Sequence, residues 1–380
     1  MRATIRLGRI AGVRIGVHWS VLVIFAVITV GLARNRLPDA RPGYSWAAYW
    51  VVGLLTAAVF FASLLAHELA HAVVARRNGI DVDDIVLWLL GGVARLKGEA
   101  SNPGAELRIA GVGPLVSLAL GIMFGLCAWL VNVTSGGGLA VEAPAWLAAI
   151  NILLAVFNSI PAAPLDGGRL LRALLWWRTG DRLRAITGAA AAGRGFGWFL
   201  VIFGLFLFAR GDAFGGLWPA LIGWFLVAAA TMEARQAHLR ETLAGIPVRN
   251  AMTREPVTVS ESTTVAEFLL GPHYRYPHSA FPVTDHVGAP VGLLTLDTAR
   301  HVVEQRRGTV TAGEIMLPLS QVTVVGPDDP LAELLPRLES GPEHRVLVVD
   351  DGRLLGLLSP SDVTRMVTWL VTTDPRRRGR

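Results

Sequence analysis

Long apolar runs separated by short polar breaks fill the first 235 residues, and short Val-rich runs alternating with charged segments fill the remainder. The apolar runs fall at about 17–33, 47–75, 107–131, 145–160, 196–209 and 213–232. Runs of this kind predict six membrane-spanning helices. Residues 1–16 place Ile5, Leu7, Ile10, Val13 and Ile15 in partial alternation and predict a strand or hairpin at the membrane surface. Residues 80–99 are β-prone, interrupted at Gly91-Gly92, and too short and broken to span. They predict a re-entrant hairpin or sheet, with an ordinary surface hairpin as the alternative. Residues 169–178 form a short amphipathic segment. The fold class is therefore a polytopic α-helical membrane protein with a membrane-associated β hairpin or sheet, followed by an α/β module.

That module repeats itself at a period of 64 residues: Met252 matches Met316, Gly292 matches Gly356, and Thr295 matches Ser359. Each copy has a lead to its Met, a Val-rich strand, a helix, two further strands and a last helix. A repeat of this length predicts tandem modules packed as a pair. The expected organisation is a membrane domain over 1–235, modules over 246–305 and 311–372, and a basic tail over 373–380.

Composition sharpens the membrane reading. The chain is 52 % hydrophobic, with a mean hydropathy of +0.48, too apolar for an ordinary soluble domain. The net charge of +6 is carried almost entirely by arginine, Lys97 being the only lysine. In such a chain the charge encodes topology and lipid contact rather than direct nucleic-acid binding. The N-terminal arginines, Arg76, Arg77 and the cluster from Arg169 to Arg184 fall on one side under the six-span count, and the opposite loops carry fewer. Both termini and the soluble modules are thereby expected in the cytoplasm, with the chain in the cell membrane. Cys127, the single cysteine, sits in an apolar run and forms no internal disulfide.

Two polar motifs interrupt the apolar pattern. His67-Glu68-Leu-Ala-His71 lies near the end of the second span. Histidines four apart stack on one helix face and can supply half of a tetrahedral zinc site. Glu68, about 100° around the helix, reaches a water at such a site without ligating the metal, as a general base would. Interface histidines are the plainer alternative, but ionisable groups in a membrane-grade segment are expensive and read as functional. The second motif, Asn158-Ser-Ile-Pro161-Ala-Ala-Pro164-Leu-Asp166-Gly167-Gly168-Arg169, breaks the end of the fourth span. It brings the Asp166 carboxylate to the same side of the membrane as the histidines. Three protein ligands leave a position open, the arrangement of a catalytic zinc. A helix cap by Asp166 is the competing role. Asn158 offers an amide donor for an oxyanion, or a helix-packing hydrogen bond.

On these residues the chain resembles the site-2 protease family of intramembrane zinc metalloproteases, in the subgroup with a six-helix core and a C-terminal pair of cystathionine-β-synthase (CBS) modules. The resemblance implies that His67, His71 and Asp166 bind one Zn2+, that Glu68 is the catalytic acid/base, and that Asn158 assists the transition state. It also implies that Gly91 and Gly92 belong to a strand receiving the unwound substrate. Ser117, in Gly113-Pro114-Leu-Val-Ser117, stands where the family usually has Asn. The implied substrate is a transmembrane protein, such as an anti-sigma factor, cut within the bilayer in regulated intramembrane proteolysis. In the second module, Ser359-Pro-Ser-Asp362 resembles an element that binds the ribose of an adenine nucleotide; Thr295-Leu-Asp-Thr298 lacks the matching Asp. A purely structural or homodimerising pair is the alternative. Two other functions were weighed: a CBS-regulated transporter would spread ionisable residues along a pore, and an inactive scaffold would not need Glu68.

Overall fold

The computed structural model describes residues 4–88, 91–96, 98–271, 278–340 and 342–373. Arg2, Lys97 and the basic tail beyond Thr373 lie outside the described residues. The chain divides into two units, Met1–Arg235 and Gln236–Arg380.

The first unit opens with strands β1 (Ile5–Ile10) and β2 (Val13–Val17), then helix α1 (Ser20–Gly31), which continues through a π-helical turn into α2 (Leu37–Ala40). Helix α3 (Trp46–Arg77) follows, with Ser45 accepting from the Ala48 amide at its N-terminus. The expected hairpin after it is β3 (Val82–Trp88) and β4 (Gly91–Leu96). It joins the N-terminal hairpin in a single four-stranded sheet ordered β1-β2-β3-β4. The β2–β3 pairing is parallel and the outer two pairings are antiparallel, which leaves β4 as an edge. The sheet rests on the latter half of α3, where Val13 and Ile85 pack with Ala72, Leu65 and Leu69.

Helix α4 (Pro103–Ser135) is capped by Asn102, which accepts from the Ala105 amide at 2.8 Å. Helices α5 (Leu139–Ser159), α6 (Asp166–Thr179), α7 (Arg182–Ala209) and α8 (Ala213–Leu243) complete the set. Among the described residues, six helical segments are long and apolar enough to cross a membrane: Ser20–Ala40, Trp46–Arg77, Pro103–Thr134, Leu139–Ser159, Arg182–Ala209 and Gly215–Leu243. Large apolar residues such as Trp129, Leu130 and Ile202 point outward, as lipid-facing positions do.

The helices overrun the apolar runs that mark them. The largest difference is α7, expected over 196–209 and observed from Arg182. Its extra turns bury Ala185, Ala189, Ala190 and Gly193, and Ala190 packs with Ala163 and Ala230. Small side chains permit that close packing, so the Ala-rich stretch is helix rather than connection. Helix α8 likewise runs past its apolar stretch to Leu243, whose side chain is buried in the second unit's core.

In the second unit the two halves follow one plan: β5 (Thr253–Arg254), β6 (Val259–Ser260), α9 (Val265–Leu270), β7 (Ala280–Thr284), β8 (Pro290–Thr295) and α10 (Leu296–Arg300); then, after an added short helix α11 (Ala312–Ile315), β9 (Leu317–Pro318), β10 (Thr323–Val325), α12 (Leu331–Ser340), β11 (Val346–Asp350), β12 (Arg353–Leu358) and α13 (Pro360–Thr373). The two sheets are ordered β6-β7-β8-β9 and β10-β11-β12-β5, so each takes its last strand from the other half. Met252 and Met316 follow the exchange. A Cβ at Gly356 would lie 2.6 Å from Met252 Sδ, and one at Gly292 would lie 2.6 Å from Met316 Sδ. The glycines that match in the repeat are thus seats for the other copy's methionine. Ala280, Leu293, Val322 and Leu347 form a shared cluster, which makes the pair one packing unit.

Candidate metal centre

Helix α3 presents His67 and His71 one turn apart, and both are buried. Asp166 is the first residue of α6, immediately after the break that follows α5. The N-cap is Leu165, and no side chain caps the helix, so Asp166 does not have the capping role. Its carboxylate turns to the histidines instead. Asp166 Oδ2 lies 3.2 Å from His67 Nε2 and 3.1 Å from His71 Nε2, and the two Nε2 atoms are 3.2 Å apart.

The other face of each imidazole is already engaged. His71 Nδ1 donates to the Ile109 carbonyl oxygen at 2.6 Å, and His67 Nδ1 lies 2.9 Å from Ser117 Oγ. A carbonyl oxygen only accepts, so Nδ1 of His71 carries the proton and its Nε2 presents a lone pair to the centre. This partner on the far nitrogen is the usual support of a metal-ligating histidine. With both imidazoles neutral and protonated at Nδ1, the three groups are all acceptors, and at this separation they repel one another unless a cation lies among them. Atoms bonded at 2.0–2.1 Å to one tetrahedral zinc lie about 3.3 Å apart. The triangle has that size, and its two imidazoles and one carboxylate suit zinc.

Glycines make room for it. A Cβ at Gly113 of α4 would lie 2.1 Å from His71 Nε2 and 2.7 Å from His67 Nε2. A Cβ at Gly92 of β4 would lie 2.2 Å from Glu68 Cγ. Thus Gly92 brings the edge strand directly against the Glu68 side chain. Gly91, opposite Trp88, begins that strand. Asn158 is half-buried in the last turn of α5 and makes no side-chain hydrogen bond among the described residues.

Three contributors escaped the reading of motifs: Ile109, Gly113 and Ser117. Gly113 and Ser117 stood out only as part of the Gly113-Pro114-Leu-Val-Ser117 stretch, small residues in an apolar span that depart from the family pattern at Ser117. Their spacing, four apart, is the signal that was there to use, since it puts all three on one face of α4.

In the soluble unit, Ser359 and Asp362 meet. Asp362 Oδ2 accepts from the Ser359 amide at 2.9 Å and from Ser359 Oγ at 2.6 Å, while Oδ1 accepts from Thr253 Oγ1 at 2.9 Å and from Arg365. These residues line a cavity of about 260 Å³ together with Arg345, His278 and Ser279. At the matching place in the first copy, Thr295 Oγ1 accepts from the Thr298 amide and caps α10 without a carboxylate.

Comparison with known proteins follows the same division. The model of peptidase family M50 matches residues 55–143 and 134–203, and the CBS domain model matches 248–304 and 312–368. Rip3 of Mycobacterium tuberculosis, which carries a zinc-metalloprotease designation, is 45 % identical over 97 % of this chain and 93 % of its own length. Zinc metalloprotease MJ0392 of Methanocaldococcus jannaschii is 28 % identical over 97 % of this chain and 98 % of its own. Among solved structures, the site-2 protease from Methanocaldococcus jannaschii matches at 30 % identity and a TM-score of 0.41, covering 61 % of this chain and 95 % of that one. The M50 match lies on the helices that carry the triangle, and the relationship to Rip3 runs through both units. The chain therefore belongs to peptidase family M50, the site-2 protease family of zinc metalloproteases, with a CBS pair following its membrane helices.

Proposed function

We propose that this chain hydrolyses a peptide bond within a transmembrane segment of a substrate protein, close to the cytoplasmic face, using zinc held by His67, His71 and Asp166. The observation that carries this is the triangle of three acceptor atoms, about 3 Å on each side, beside Glu68. Zinc, when bound there, supplies Lewis acidity to the scissile carbonyl and to the attacking water. Glu68 takes the proton of that water and returns it to the leaving amine. Asn158, eight residues before Asp166, donates its amide to the oxyanion. The side-chain-free Gly91 and Gly92 let an extended substrate pair along β4 and pass beside Glu68. A substrate helix has to unwind first, because its carbonyls are hydrogen-bonded within the helix. Small or helix-breaking residues near the scissile bond favour that step. A membrane-anchored transcriptional regulator such as an anti-sigma factor fits these demands. The arginine bias supports a cytoplasmic site in the cell membrane.

The CBS pair takes an adenine nucleotide in the cavity at Ser359 and Asp362. Arg345 and Arg365 on its wall supply the positive charge a phosphate needs. The second copy holds the ribose-type carboxylate and the first does not, which supports one site per chain.

The test of the proteolytic reading is Glu68→Gln in the full-length protein, reconstituted with a membrane-spanning substrate. Loss of a general base lowers turnover by about 10²–10⁴-fold, with zinc retained because Glu68 is not a ligand. Equal cleavage by the variant and the parent sinks the assignment.

A further inference from the structure

A set of four charges centred on the buried Glu106 lies beside the metal centre without belonging to it. Glu106, in the first turn of α4, is 2 % exposed. Its Oε1 accepts from Arg169 Nε at 3.1 Å and from the Arg172 guanidinium. Arg172 also donates to Glu233 Oε1 of α8 at 3.2 Å. Two acids and two bases make the set neutral, and such a cluster is stable in a buried place only while each charge keeps its partner.

Its position gives it a task. Both arginines are on α6, Arg169 three residues after Asp166 on a neighbouring part of the same face and Arg172 three further on, about 120° around the helix from the ligand. On α4 the positions 106, 109, 113 and 117 are spaced by three, four and four, which is one face of one helix. That face holds α6 through Glu106, His71 through the Ile109 carbonyl, both imidazoles through the gap at Gly113, and His67 through Ser117. A single helix face thus supports all three corners of the triangle. At the Asp166 corner no side chain caps α6, and the ion cluster ties its first two turns to α4.

We infer that Glu106 is a positioning residue for the metal centre: through Arg169 and Arg172 it seats α6 so that Asp166 meets His67 and His71. The inference rests on the reading that those three residues hold zinc. Supporting partners of a metal ligand typically govern about 10–100-fold in metal affinity.

The experiment compares the full-length protein with Glu106→Gln, Glu106→Asp and, as reference, His71→Ala. The readouts are zinc affinity by chelator competition, the visible spectrum of the Co2+-loaded protein, and kcat separately from KM. Glu106→Gln is expected to lose about tenfold or more in affinity, to change the Co2+ spectrum, and to lower kcat with little change in KM. Glu106→Asp, which keeps the charge, recovers most of both. A folded Glu106→Gln protein with parental affinity and an unchanged Co2+ spectrum overturns the inference. Parental affinity in His71→Ala would instead overturn the ligand assignment, which separates the two failures. Should Glu106→Gln not fold, Glu233→Gln releases one arm of Arg172 and carries the same test: a weaker loss of the same kind supports the inference, and parental affinity and spectrum overturn it.

Discussion

The two units each contain a carboxylate at the start of a helix, Asp362 buried and Asp166 nearly so, and the two carboxylates are in opposite situations. Asp362 has both oxygens filled by donors of its own chain: a backbone amide, two hydroxyls and a guanidinium. Asp166 faces two imidazole nitrogens; the Nδ1 proton of His71 is directed to Ile109, so in the neutral ring its Nε2 is an acceptor like the carboxylate itself. The first arrangement is complete as folded, and a ligand there modifies it. The second is a polar cluster whose repulsion only a cation relieves. The difference teaches that burial alone does not mark a site of chemistry; unmatched acceptor character does.

The sharpest way to break this comparison is to fill the space reserved for the cation. Gly113→Ala places a methyl group where His71 Nε2 and His67 Nε2 now meet the centre. Zinc affinity is expected to fall by at least about 100-fold, and cleavage with it. Gly125→Ala in the same helix is the control, since its Cβ would meet only Ala148 Cβ at 3.8 Å. Zinc content by metal analysis after dialysis decides: parental content in Gly113→Ala would remove the packing argument. A smaller effect is expected at the far side of His67. Ser117→Ala deletes the partner of Nδ1 and should weaken zinc binding by about tenfold, with Ser117→Asn restoring it. Identical affinities across the three would show that Ser117 only fills space.

The smallest effect lies in the soluble unit. If the cavity at Asp362 takes an adenine nucleotide, saturation at 100 times Kd stabilises the pair by about 2.7 kcal/mol. Thermal unfolding of the full-length protein with AMP, ADP or ATP reads this as a rise of a few degrees in the transition of the soluble unit. No rise with any of the three leaves the pair as a structural module. Chelation of zinc should leave that transition unmoved.

Much of this was legible along the chain. His67 and His71 are four apart on a helix, and the helix is implied by the apolar run around them. The Asp166 motif announced itself because two prolines and two glycines break an apolar run at a carboxylate. The sixty-four-residue repeat was visible as matched Met and Gly positions. Less legible were the helix ends. The first turns of α7 carry arginines and alanines, and their helical state depends on Ala163 and Ala230 packing against them. The strand exchange between the CBS halves was not legible either, because β5 and β9 are two residues each and find their partners only across the pair.

The sequence by itself determined the kinds of group and their local geometry: which helices are apolar enough for a membrane, which face of α3 carries imidazoles, and which residues can ligate zinc. Those properties come from side-chain chemistry and the 3.6-residue period, both local. Only the tertiary structure decided that Asp166 closes a triangle with two histidines nearly a hundred residues away. Only it decided that Ser117, Ile109, Gly113 and Glu106 stand behind that triangle on one face of α4. Such roles depend on distances of about 3 Å between elements far apart in the chain, which close packing fixes and residue type does not.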